Sequence, residues 1–397
     1  MNLKSSLPDP DPTALERCRE IEALLQRDIA QSATRSIGFD QFMARALYEP
    51  ELGYYASENE IFGADGDFIT APESGSIFSN VIGHWCESLL PHAGDRLLEF
   101  GAGTGQLALD ICKALLRRAP DSDWHYTIVD RSERLVRRQR ERFERELPEA
   151  LSRITWYLEL PSETRYDIVI ANEVVDAMPA RRWEIQDSTV AELAVGFRDG
   201  HFHWSRRDAV EAPAEILSVA AQLPSGYRTE SIPGLAAWLK EVRDVIDSGV
   251  LLLLDYGYPR HEYLHASRTD GTLKCHYKHH VHGDPFFYPG AQDITVCVDF
   301  STVADIAFDA GFEIAGFTSQ AHFLLGNDVE NVMRTIAGDD PVKHYELAQQ
   351  AKTLLLPGEM GETVKVMACT AGGGITPGGF EHDLRYRLGG FAEAQGI

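Results

Sequence analysis

The segment Leu97-Leu98-Glu99-Phe100-Gly101-Ala102-Gly103-Thr104-Gly105 constrains this chain more than any other. Two leucines lead into an acid and an aromatic, and three alternate glycines follow, the pattern of a buried strand that breaks sharply into a turn. Leu107, Leu109, Ile111, Leu115 and Leu116 then recur at helical spacing. A strand, a glycine turn and a helix in that order put the helix's first N–H groups beside a turn that a ligand can approach closely, which suits a nucleotide-like molecule.

The surrounding pattern alternates strand and helix. Strands are expected at 96–100, 125–130, 154–158, 167–172 and 250–255, with two more near 313–320 and 363–370. Such alternation predicts an α/β fold with a doubly wound, mostly parallel seven-stranded sheet, Rossmann-like in topology. Helices are expected at 13–30, 39–48 (capped by Ser36), 76–90, 300–310 (capped by Asp299 or Ser301) and within 328–356. Between the fourth and fifth strands, Trp183 to Arg206 carries two apolar runs flanking Arg198-Asp199-Gly200, the signature of an inserted β-hairpin. The expected division is an N-terminal helical and loop segment at 1–90 covering the active site, a core at 91–182 and 250–371, an inserted hairpin and helix lobe at 183–249, and a loose tail at 372–397. Residues 257–293 read as one long polar loop.

Composition narrows the classes. A net charge of −24 opposes a broad nucleic-acid footprint, and no apolar run approaches the length of a membrane span. The first twenty residues carry Asp9 and Asp11 and fit neither a signal nor a transit peptide, so the expected compartment is cytoplasmic. Six dispersed cysteines without a C-x-x-C pair read as reduced, buried thiols. The run Cys275-His276-Tyr277-Lys278-His279-His280-Val281-His282 invites a metal, but its spacing closes no four-ligand site and Lys278 opposes a cation; the expectation is no metal and a polar loop in which His276 and His282 contact substrate.

Two cofactors compete for the glycine turn. A dinucleotide fingerprint requires a third glycine where Gln106 stands, whereas the form here, E-x-G-x-G-x-G, is acidic and has no phosphate-cradling partner. S-adenosylmethionine, with ribose hydroxyls, an amino-acid portion and a sulfonium, suits it better. Asp130 ends the second strand 25 positions after Gly105, where a carboxylate accepts from both ribose hydroxyls, and Glu99 lies toward the amino-acid portion. The fourth strand delivers Asn172, Glu173 and Asp176 to the same sheet edge.

At this point the chain resembles the MidA-like family of S-adenosylmethionine-dependent methyltransferases. The motifs are Ala46-Leu47-Tyr48 with Gly53-Tyr54-Tyr55, Gly66-Asp67-Phe68-Ile69-Thr70 with Pro72-Glu73, Glu99 to Gly105, Asn172-Glu173 with Asp176-Ala177-Met178-Pro179, Asp255-Tyr256-Gly257, and Pro289-Gly290 with Gln292-Asp293-Ile294-Thr295. The family's mitochondrial member is an assembly factor for respiratory complex I that methylates a protein arginine; Ala102 stands where such members often carry proline. The resemblance implies a class I methyltransferase fold, S-adenosyl-L-methionine as cofactor and an arginine-bearing protein acceptor; charge and hydropathy add the expectation of no nucleic acid and no membrane, and the expected state is monomer or homodimer. Glu99, Gly101, Ala102, Gly103, Thr104, Gly105, Asp130, Arg131, Leu158 and Asn172 are the expected cofactor contacts. A guanidinium is always charged and poorly nucleophilic, and paired carboxylates orient its planar fork, so Glu173, Asp176 and Asp67 are the catalytic candidates. Thr70, Glu73, Asp255, Tyr256, His276 and His282 are the candidates for binding the acceptor. The rival readings are methylation of a small molecule or another side chain, and a cofactor-binding assembly chaperone with little turnover.

Overall fold

The continuous apolar runs of the sequence become the central strands of an eight-stranded sheet, seven of them in one ordered path. The computed structural model describes residues 7–56, 71–73, 75–208 and 211–389. By spatial contact they form two units: the described residues of Met1–Phe68 with Asp176–Leu235 and His261–Cys297, and those of Ile69–Val175 with Ala236–Arg260 and Val298–Ile397. These boundaries differ from the sequence-based division, because Ser76–Ala93 joins the core and the leader shares a unit with the hairpin insert and most of the polar loop.

Numbered within the core unit, the strands are β1 (Arg96–Phe100), β2 (His125–Val129), β3 (Ile154–Tyr157), β4 (Ile168–Asn172), β5 (Gly249–Tyr258), β6 (Glu313–Ser319) and β7 (Val364–Ala371). Their spatial order is 6-7-5-4-1-2-3, with a two-residue strand, Val298–Asp299, beside β5. Only β7 runs against its neighbours; β5, β4, β1, β2 and β3 pair in parallel, with Leu97 opposite Ile168 and Tyr126. Leu97, Leu98, Ile168, Val169, Ile170 and Leu251 to Leu254 are all buried, as expected for parallel strands covered on both faces. Helices α1 (Ser76–Ala93), α2 (Gln106–Arg118) and α3 (Glu133–Glu146) belong to this unit, α1 and α2 packing their apolar faces into the main core cluster. The open sheet reverses its strand order between β1 and β4, the topological switch point at which α/β proteins bind ligands beyond the carboxyl ends of their strands.

In the other unit the hairpin joins Thr189–Arg198 to His201–Asp208 around the expected Asp-Gly turn, Arg198 opposite His201. Asp199 and Gly200 take φ of 52° and 81°, the two left-handed residues of a type I′ turn. Arg182 and Glu230, on adjacent strands of the same sheet, form an ion pair at 3.3 Å with both side chains almost wholly shielded. Thr272 donates to Glu230 from both its N–H and its hydroxyl.

Three local expectations give way. Ser36 does not cap the helix Phe39–Tyr48: it pairs with Gly196 in a two-residue strand, and Gly38 is the N-cap, its N–H donating to the Gln41 side chain at 3.1 Å. The polar loop contains a three-stranded antiparallel sheet, Lys274–Tyr277, His280–His282 and Asp293–Thr295, whose strands are too short and polar to show a period. Finally, the tail is not loose through residue 389. Leu384 donates its N–H to Phe317 at 2.7 Å, Trp85 donates its indole N–H to Gly378 at 3.2 Å, and Arg385 donates to Ile314 at 2.7 Å. Its glycines supply turns that let it follow the core surface rather than leave it.

Candidate active site

β1 ends at Phe100, and the chain turns at once. Gly101 donates its N–H to Val129 at 2.9 Å and Gly105 donates to Ala102 at 2.7 Å, with φ of 62°, 55° and 80° at Gly101, Gly103 and Gly105. Gly105 is the N-cap of α2, so the helix's leading N–H groups open onto this turn. A Cβ on Gly105 would stand 3.2 Å from the Gln139 side chain, which shows how tightly α3 lies beneath it. The Thr104 hydroxyl donates to Glu73, placing that acceptor-binding candidate against the cofactor turn. Arg142 donates to the Thr104 carbonyl at 3.2 Å, to its hydroxyl at 3.0 Å and to the Gln106 side chain, while Gln106 donates to Asp110 at 2.7 Å.

Two buried acids flank the turn, and their surroundings separate them. The Asp130 carboxylate accepts the Ser132 N–H at 3.0 Å and the Gln139 amide N–H at 3.0 Å; burial pushes it up to about 6, against these hydrogen bonds. Glu99 accepts the Tyr126 hydroxyl at 2.7 Å, and burial pushes it up to about 8, the hydroxyl opposing. At neutral pH Asp130 is predominantly an anion and Glu99 predominantly a protonated acid, so one strand end offers an acceptor and the next keeps a neutral carboxyl.

At the carboxyl end of β4, Glu173 donates its N–H to Leu254 at 2.8 Å while adopting φ of 52°, a conformation uncommon for a residue with a Cβ. Its carboxylate lies 3.4 Å from the Asn172 amide nitrogen and 3.5 Å from the Ala71 N–H. The turn is pinned from β5: buried Asp255 accepts the Val175 N–H at 2.9 Å and the Tyr256 N–H at 2.8 Å. Both Asp255 oxygens therefore hold backbone, and Tyr256 packs partly buried against the core.

The core unit thus brings together the glycine turn, Glu73, Glu99, Asp130, Asn172, Glu173, Asp255 and Tyr256. Arg131 and Leu158, just beyond β2 and β3, are exposed. Asp176, His276 and His282 belong to the other unit. Asp176 is buried there and accepts the Val296 N–H on its carbonyl at 3.0 Å, while burial pushes the His276 imidazole down to about 4 and the His282 imidazole also below its ordinary value. Asp67 and Thr70 lie outside the described residues. Among the described residues no cluster of three or more His, Cys, Asp or Glu side chains is arranged to hold a metal, and no helix is long and apolar enough to cross a membrane.

Sequence reasoning passed over Tyr126, Gln139 and Arg142. A signal for Gln139 was present: in the highly charged stretch Glu133–Glu146 the buried positions are Leu135, Gln139 and Phe143, so a polar residue occupies the middle of an apolar stripe.

A left-handed glycine cradle that side chains would fill, an anionic acceptor at the end of β2, and a Gln106 already engaged where a dinucleotide site needs glycine together fit S-adenosyl-L-methionine. The 6-7-5-4-1-2-3 sheet and this site define a class I S-adenosyl-L-methionine-dependent methyltransferase. Residues 81–318 match the family described as putative S-adenosyl-L-methionine-dependent methyltransferase, and the chain belongs to that MidA-like family. A crystal structure of a likely methyl transferase from Burkholderia thailandensis bound to S-adenosyl-homocysteine is 36% identical, covers 95% of this chain and 98% of its own, and superposes with a TM-score of 0.88. Curated relatives include the mitochondrial protein arginine methyltransferase NDUFAF7 homolog of Drosophila melanogaster, 26% identical over 93% of this chain and 90% of its own length. The Danio rerio protein arginine methyltransferase NDUFAF7 is 27% identical over 83% and 82%.

Proposed function

We propose that this methyltransferase acts on an arginine side chain of a protein, with a subunit of respiratory complex I the first acceptor to test. The names of the relatives at about one-quarter identity support the arginine. The observation that carries the reading is Glu173, a carboxylate held in a left-handed backbone conformation at the switch-point edge of the sheet, three residues before buried Asp176. A strained acid at such an edge marks a site where geometry is retained at a cost of ~1–3 kcal/mol.

When bound, S-adenosyl-L-methionine supplies an electrophilic methyl carbon on a sulfonium leaving group. The chain's own contribution is alignment and charge. Glu173 and Asp176 accept guanidinium N–H bonds, localise the positive charge away from the attacking nitrogen and receive the proton that this nitrogen loses as its bond to carbon forms. Asp255 acts through the backbone by fixing Val175 between the two acids. Glu73, which accepts the Thr104 hydroxyl beside the glycine turn, borders the acceptor.

The test uses methyl-labelled cofactor and host lysate. Incorporation into protein by the natural chain and its loss in a Glu173→Ala, Asp176→Ala variant that still binds S-adenosylhomocysteine support the proposal. Equal labelling by the two proteins, or none by either, overturns it.

A further inference from the structure

We propose that Gln139 is a positioning residue for the cofactor, its single amide nitrogen tying the glycine turn to the carboxylate of Asp130. The amide donates to the Gly103 carbonyl at 3.0 Å and to Asp130 Oδ2 at 3.0 Å. Both partners are acceptors, which fixes the amide's orientation: nitrogen faces them and Oε1 faces away, without a hydrogen-bond partner among the described residues although wholly buried. A buried amide that leaves its own oxygen unsatisfied is costly, and it recovers that cost only through what its nitrogen holds. Gln139 is therefore placed for two tasks at once. It sets the spacing between the turn and the acid one strand away, and it stabilises the ionised form of a carboxylate that burial drives toward its proton.

The helix beneath the turn supports this division of labour. One turn of α3 further on, Arg142 grips Thr104 by its carbonyl and hydroxyl. Arg142 and Gln139 thus hold neighbouring residues of the same loop, but only Gln139 also reaches Asp130. The other groups facing Asp130 are the backbone N–H of Ser132, the backbone of Gly103, and Glu99 on β1, whose carboxyl burial and the nearby Asp130 charge both raise. Arg131 follows Asp130 in the chain and is exposed.

This inference rests on the reading of Asp130 as a cofactor contact, so Asp130→Ala is the control. S-adenosylhomocysteine binding is measured by calorimetry from pH 5.5 to 8.5 for the natural chain, Gln139→Leu, Gln139→Glu and Asp130→Ala, with thermal midpoints recorded alongside. Loss of a hydrogen bond to a charged group predicts that Gln139→Leu binds roughly tenfold more weakly at pH 7, or weaker still. Its affinity recovers as pH rises, because Asp130 then ionises unaided. Gln139→Glu shows the opposite slope: a carboxyl that keeps a proton near pH 6 still donates to Asp130, but its ionisation at higher pH puts two negative charges together and weakens binding. Opposite slopes support the proposal, since a role confined to packing lowers the thermal midpoint without reversing a pH profile. Parallel profiles, or natural affinity in both Gln139 variants, overturn it while leaving Asp130 in place. Natural affinity in Asp130→Ala overturns the underlying reading instead.

Discussion

The buried acid of β1 gives a quantitative test of how the site is built. Glu99 is only 2% exposed, and its carboxyl is raised from 4.5 to about 8 by burial. In the unfolded chain it releases its proton as pH rises through 4.5, whereas in the folded protein it holds the proton until about 8. The unfolded state therefore binds fewer protons across this window, and stability falls as pH rises. At ~1.4 kcal/mol per pH unit, the penalty from this one group reaches about 3 kcal/mol at pH 7 and is absent below both values. Glu99→Gln removes the titration and keeps an oxygen for the Tyr126 hydroxyl. Relative to the natural chain, the variant gains about 3–4 kcal/mol between pH 5 and pH 8. Asp130, raised for the same reason, is present in both proteins, so to first order its contribution cancels. Urea unfolding midpoints at the two pH values, without cofactor, read the difference. A stability gap that does not change with pH, or one that turns against the glutamine at pH 8, refutes the assignment of a neutral Glu99.

Three further outcomes follow from local geometry. Gly105→Ala forces a left-handed Cβ toward Gln139; it costs about 1–2 kcal/mol of stability from the backbone alone and weakens S-adenosylhomocysteine binding, read by thermal melting and calorimetry. Glu173→Gly relieves the strained φ, so its thermal midpoint is retained or raised while methyl transfer falls by at least ~100-fold, read with labelled cofactor. Arg182→Met leaves Glu230 buried without its ion-pair partner and destabilises by about 3–5 kcal/mol in urea unfolding, with part of the loss restored by adding Glu230→Gln.

Where sequence and structure agree, a strong local signal was at work. The five parallel strands are apolar runs bounded by turn residues, and their observed limits fall within about three residues of those expected. The hairpin follows from Asp199-Gly200, and the helix Phe300–Asp309 from its cap Asp299, which accepts the Ser301 N–H at 3.0 Å. Agreement fails where tertiary pairing decides. Ser36 has the chemistry of a cap but lies beside Gly196, so it joins a strand instead. The strands around Cys275 are held by one another rather than by any period in their residues. In the site, Glu99, Asp130 and Glu173 were legible as acids at strand ends. Tyr126, Gln139 and Arg142, which bond to Glu99, Asp130 and the glycine turn, come from neighbouring elements, and only the polar interruption of an apolar stripe at Gln139 hinted at them.

The central claim is that the acceptor is a protein arginine. Tandem mass spectrometry of lysate proteins methylated with isotopically labelled cofactor tests it most directly. The account predicts the label on a guanidinium nitrogen of an arginine residue, absent with the Glu173→Ala, Asp176→Ala protein. Label on lysine or carboxylate side chains, or confined to small molecules, contradicts it.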